Sequence, residues 1–123
     1  MKKILVSLST LFLTFGTMAQ TKAVKVESPI VTEKDFVWYV EQKNAWKKAT
    51  QMNPQDEEAW QNYYNAARYM SWWDENRNDT TARQAIHEMS KAIPNTYTYN
   101  MCAYMAIKLG HGDGTDGDPY AEA

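Results

Sequence analysis

The sequence predicts an all-α protein built of antiparallel helical hairpins, about four helices in all. Three observations carry this. Apolar residues recur at three- and four-residue spacings along most of the chain, the period of a helix buried on one face. The stretch NPQDEEAW at 53–60 has the composition of a tight corner between two such helices. Five Trp and eight Tyr supply large side chains for a core, which has no disulfide to help it because Cys102 is the single cysteine. A chain of 123 residues has room for one small domain.

The first residues stand outside that domain. Lys2 and Lys3 form a positive start, residues 4–15 are apolar apart from Ser and Thr, and Thr17-Met18-Ala19 puts small residues at the −3 and −1 positions of a cleavage site. This is the pattern of a secretory signal peptide over 1–19, with Gln20 as the mature N-terminus. A membrane anchor is the alternative, but the run is too short and lacks a charged flank on its far side. No cysteine follows it, which excludes lipid attachment at that point. Loss of Lys2 and Lys3 takes the 13 basic residues to 11 against 15 acidic, a net charge of −4. A mildly acidic module has no electrostatic reason to seek nucleic acid or anionic lipid.

Residues 20–32 show no clear period and are expected as an extended or flexible lead-in. A helix is expected over 33–52, with Phe36, Tyr39, Val40, Trp46, Ala49 and Met52 on its apolar side and Lys43 interrupting the stripe. Pro54 ends it, Asp56 caps the next helix, and Glu57 and Glu58 sit where the helix dipole favours negative charge. That second helix runs over 57–73, with Ala59, Trp60, Tyr63, Tyr64, Ala67 and Met70 on a broad apolar face and Asn62, Asn65 and Arg68 opposite. The connection is short, so the pair is expected to be antiparallel. DENRND at 74–79 is a polar turn. Thr81 and Gln84 then fit a capping box, with Asp79 as a competing cap, and Ala82, Ala85, Ile86, Met89, Ala92 and Ile93 form the next stripe up to Pro94. A fourth helix over 97–109 is apolar on most sides, which predicts burial between neighbours, and Gly110 suits its left-handed C-terminal cap. Residues 111–118 read as loop, and 119–123 as the start of a further element.

The stretch ATQMNPQDEEAW at 49–60 resembles the boundary between successive tetratricopeptide (TPR) repeats. Trp46, Ala49 and Pro54 match the closing half of one repeat, and Trp60 and Tyr63 the opening half of the next. Ala85, Ile86, Met89 and Ala92 resemble a second closing helix; Tyr99, Cys102, Ala103, Ala106 and Gly110 resemble another opening helix. The resemblance covers residues 35–110 as irregular repeats, within a domain expected over 33–110, and implies that the hairpins stack as a short TPR-like α-solenoid. Between Trp60 and Ala85 the spacing runs about nine residues beyond a standard repeat, Tyr64 stands where a Gly or Ala is usual, and Pro94 follows Ala92 early. The signal ending in Ala-Gln is similar to those of exported proteins of Gram-negative Bacteroidota. A TPR-like stack implies a curved surface that receives a peptide or a partner's helix.

Tyr69, Trp72 and Trp73, beside the polar turn, are the candidate partner-binding cluster. They suit an exposed aromatic platform for a peptide side chain or a sugar ring; the alternative is that they cover the neighbouring helix. Consecutive residues of a helix point about 100° apart, so one Trp is expected inside and the other partly outside. His111, Asp113, Asp116 and Asp118 do not match a calcium loop, since Thr115 and Gly117 fall on ligand positions and the twelfth position lies past Ala123. His87 has no partners at metal-ligand spacing. Cys102 lies in an apolar stripe with no base nearby to activate it. Glycine-rich phosphate loops, GxSxG elbows and HExxH motifs are absent from the sequence. The expectation is an exported, non-catalytic helical-repeat module of the bacterial envelope that binds another protein, without cofactor, metal or stable membrane insertion. The alternatives are a carbohydrate-associated accessory domain using Trp72 or Trp73, or the N-terminal part of a longer protein with its activity downstream.

Overall fold

The structure, a computed structural model, describes residues 21–108. Among these residues the protein is all-helical, with five α-helices, one 3-10 turn and no strand. The helices are α1 (Pro29–Thr32), α2 (Phe36–Met52), α3 (Glu57–Met70), α4 (Thr80–Ala92) and α5 (Tyr97–Lys108), and the 3-10 turn is Ser71–Trp73.

Helix α3 is the centre, packing against α2, α4 and α5. Its sequence explains this: Ala59, Trp60, Asn62, Tyr63, Tyr64, Ala66 and Ala67 are all buried, a face too broad for one neighbour to cover. Trp60, Tyr63, Tyr64 and Ala67 meet Ala82, Ala85, Ile86 and Met89 of α4 and Tyr99, Cys102 and Ala106 of α5 in the main core. Ala66 meets Tyr39 and Val26 in a second cluster, and Trp46 touches both. The alanines let the backbones approach while the tyrosine rings fill the space between.

The corner at 53–60 is built as its residues dictate. Asn53 Oδ1 accepts the Gln55 N–H at 3.1 Å, and Asp56 Oδ1 accepts the Ala59 N–H at 3.2 Å as the N-cap of α3. The buried Trp60 indole donates to the Pro54 carbonyl at 2.8 Å, so one side chain serves both core and turn.

Several expectations are corrected. The helix expected from residue 33 starts at Phe36, because Asp35 caps it by accepting the Trp38 N–H at 3.0 Å and Glu33 is left-handed with φ 57°. Its buried residues are Tyr39, Gln42 and Thr50, while Phe36 is 41 % and Met52 78 % exposed; the stripe was placed on apolar residues, but a docked polar backbone draws Gln42 inward. Asn62, expected on the wet face, is buried for the same reason. The helix expected through Trp73 is α-helical only to Met70 and tightens into the 3-10 turn, where the Ser71 hydroxyl donates to the Arg68 carbonyl at 2.7 Å. Helix α4 starts at Thr80 with Asp79 at the cap position, so Thr81 lies inside the first turn and makes no capping box. Helix α5 is not buried between neighbours: Tyr99, Cys102 and Ala106 face α3 and α4, while Tyr97, Met101, Tyr104 and Ile107 are exposed. The lead-in is docked: Val26 is buried and 29–32 are helical. The signal peptide expected over 1–19, Gly110 and the segment 111–123 lie outside the described residues.

Candidate functional site

Where α3 ends, the chain must turn back to α4 through six polar residues, and the turn is held by its own side chains. Asp74 Oδ1 accepts the Asn76 N–H at 2.8 Å, and the Asp74 carbonyl accepts the Arg77 N–H at 2.9 Å with Arg77 left-handed at φ 52°. Asn78 Oδ1 accepts both the Thr80 N–H at 2.9 Å and the Thr80 hydroxyl at 2.6 Å. Short Asp and Asn side chains are what such turns use. Asp79 closes the turn with an ion pair to Arg83 at 3.3 Å.

This turn and the end of α3 form one wall of an open groove of about 710 Å³. Phe36, Met70 and Trp73 provide apolar surface; Asp74, Glu75 and Asn78 provide carboxylate and amide groups. Trp73 is fixed by α2, its ring 6.0 Å from Phe36 and 5.6 Å from Tyr39. A ring held by two neighbours and still 42 % exposed is a preorganised contact, with little side-chain entropy left to lose on binding.

The structure brings together part of the cluster singled out in the sequence. Trp73 lines the groove. Trp72 does not line it, although it is as exposed as Trp73, each at 42 %. The expected division into one inner and one outer Trp therefore fails. The 3-10 turn changes the angle between neighbours, and both rings are left partly exposed. Tyr69 turns the other way, its ring 5.8 Å from Tyr39 and beneath the Arg68 guanidinium, which donates to its hydroxyl at 2.8 Å. Phe36, Met70, Asp74, Glu75 and Asn78 were not foreseen as groove residues. Only the polar run next to two tryptophans hinted at them.

The remaining candidates fall in structural settings. Burial pushes the Cys102 thiol up to about 12, against the opposing pull of Arg68, so at neutral pH it stays protonated and behaves as a small apolar side chain. Burial also raises Tyr64 and Tyr63, and Glu88, which accepts the Tyr63 hydroxyl at 3.1 Å, adds to the rise at Tyr63. His87 is half-buried on α4. No group of three or more His, Cys, Asp or Glu able to hold a metal ion occurs among the described residues. Of the residues matched to repeat boundaries, Trp60 and Ala85 are buried, Trp46, Ala49 and Ala92 are half-buried, and Pro54 is exposed at the corner.

What the fold and groove define is a small helical domain with a rigid, open, amphipathic recess. Comparison with family models, curated proteins and solved structures found no match for this chain.

Proposed function

We propose that this is an exported, non-catalytic helical-repeat module that binds another protein, with the groove between Phe36 and Asn78 as its contact surface. The observation that carries the reading is the composition of that groove. A held aromatic face stands beside two carboxylates that no cation of the described residues is paired with in an ion pair. Such a recess suits a peptide segment that offers one apolar side chain next to a Lys or Arg. The TPR-like arrangement is supported by the corner at 53–60 and by α3 packing on the helices before and after it. Export is supported by the positive start and apolar run of residues 1–19. No helix among the described residues is long and apolar enough to cross a membrane.

The test is selection of ligands for the full chain from a random peptide library. Selected peptides should pair an aromatic or aliphatic residue with a basic one, and Trp73→Ala should weaken them about tenfold or more. Asp74→Asn with Glu75→Gln should remove the basic preference. Peptides indifferent to all three changes would sink the proposal. A second reading, sugar stacking on Trp73 beside the amide and carboxylate groups of the turn, is favoured by the equal exposure of the adjacent Trp72 and Trp73. Retention on polysaccharide that falls in Trp72→Ala or Trp73→Ala, with helicity unchanged, selects that reading instead.

A further inference from the structure

The two most deeply buried side-chain amides among the described residues face the lead-in. Gln42 is 1 % and Asn62 7 % exposed. Gln42 Oε1 accepts the Val24 N–H at 2.9 Å and its Nε2 donates to the Lys22 carbonyl at 3.0 Å. Trp46 Nε1 donates to the Val24 carbonyl at 2.9 Å, and Asn62 Oδ1 accepts the Val26 N–H at 2.8 Å. Asn62 is itself aimed by its other end, which donates to the Glu58 carbonyl at 2.9 Å. Farther along, the Tyr39 hydroxyl donates to the Glu27 carbonyl at 2.6 Å. Alternate residues 22, 24 and 26 thus turn their backbone groups to α2 and α3, as an extended strand does toward a neighbour. Helix side chains stand in for the missing strand.

Recognition is by backbone, by two buried side chains, Val26 and Pro29, and by the Thr32 hydroxyl, 2.7 Å from that of Tyr39. Val26 is buried, while Lys22, Val24, Lys25 and Glu27 are exposed, so the arm lies on the surface and nothing among the described residues covers its outer side. A groove that reads backbone accepts the same segment equally well from another copy of the chain.

The arm joins α2 through a short hinge. Glu33 ends α1 in the left-handed region, at φ 57° and ψ 22°, and only Lys34 separates it from the Asp35 cap. A non-glycine residue held there is strained, and short strained hinges favour exchange of the element they carry. Ile30 and Val31 before the hinge, 75 % and 66 % exposed, and Val37 after it, 58 % exposed, give it an apolar surface that nothing among the described residues covers. Two hinges running past each other would cover it.

We propose that the groove formed by Gln42, Trp46 and Asn62 also takes the 22–32 arm of a second copy, giving an arm-exchanged dimer in which Glu33 leaves the left-handed region. Light scattering on the full chain over a concentration series tests this. Glu33→Val penalises the left-handed conformation and should tighten dimerisation about tenfold, while Glu33→Gly relieves it and should weaken dimerisation about tenfold. Val26→Asp breaks the arm, and Gln42→Ala with Asn62→Ala breaks the groove. Each of these chains alone should stay monomeric, and an equimolar mixture should form a dimer through the one intact arm and groove. The proposal is overturned if Glu33→Val and Glu33→Gly dimerise alike, if neither dimerises at any concentration, or if a dimer persists unchanged in the broken-arm chain.

Discussion

Tyr99 shows how a single atom can work against its own residue. Its ring is 4 % exposed in the main core, yet its hydroxyl is buried and makes no hydrogen bond among the described residues. A buried hydroxyl that has lost water and gained no partner is destabilising by about 1–3 kcal/mol, whereas the ring is a large apolar asset. Tyr99→Phe keeps the ring and removes the unpaired group, so it should be neutral or stabilising by up to about 1 kcal/mol in urea unfolding. A loss of more than about 1 kcal/mol would reveal a partner for the hydroxyl. Gln42 and Asn62 are the opposite case, buried amides whose oxygen and nitrogen are both hydrogen-bonded. Neither was legible in the sequence. An amide on an amphipathic helix belongs by default to the wet side, and only the position of the lead-in, which has no periodic signal, reverses that.

At the scale of elements, the corner between α2 and α3 was legible because each of its signals is local. Pro54, the Asp56 cap and the acidic first turn act within a few residues of themselves. The start of α4 was harder, since Asp79, Thr80 and Thr81 can each cap a helix. The structure makes Asp79 the cap residue by position but gives it no side-chain hydrogen bond to the helix backbone; its carboxylate holds Arg83 instead. This separates two substitutions that look alike in sequence. Asp56→Ala removes a made cap bond and should be destabilising by about 1 kcal/mol. Asp79→Ala removes an i,i+4 ion pair and should be destabilising by only about 0.3–0.5 kcal/mol, less still in high salt. Thermal melts of the two chains at low and high salt check the order; equal losses would mean that Asp79 caps α4 in solution. Helix α5 differs from expectation for a related reason. Apolar residues on most sides fit burial between neighbours, but they equally fit a terminal helix with one face covered, and periodicity cannot tell these apart. The groove was half legible. Trp73 and the polar turn stand together in the sequence, whereas Phe36 reaches them only because α2 runs back along α3.

The whole molecule carries an unusual share of its core as groups that ionise at high pH. Burial raises Tyr39, Tyr63, Tyr64 and Tyr99 above the ordinary tyrosine value near 10.0, and raises Cys102 from near 9.0 to about 12. In each case the neutral form is the one the folded state accommodates. Below pH 9 both folded and unfolded chains hold these protons, and the groups contribute no pH dependence. Between pH 9 and 12 the unfolded chain releases the Cys102 proton while the folded chain keeps it, so the unfolded state binds fewer protons and stability falls as pH rises. The slope from the thiol alone reaches about 1.4 kcal/mol per pH unit, and the buried tyrosines steepen it above pH 10. Urea midpoints should therefore stay level from pH 7 to 9 with respect to these groups and drop sharply from pH 9 to 11. Cys102→Ala should remove the first part of the drop, leaving a decline that begins near pH 10. In a jump to high pH, part of the rise in tyrosine absorbance should lag and follow the loss of helicity, because the buried rings ionise only as the fold opens. A single immediate phase, with helicity retained, would mean that the rings packed around α3 are open to solvent and that the core described for this protein is not its core in solution.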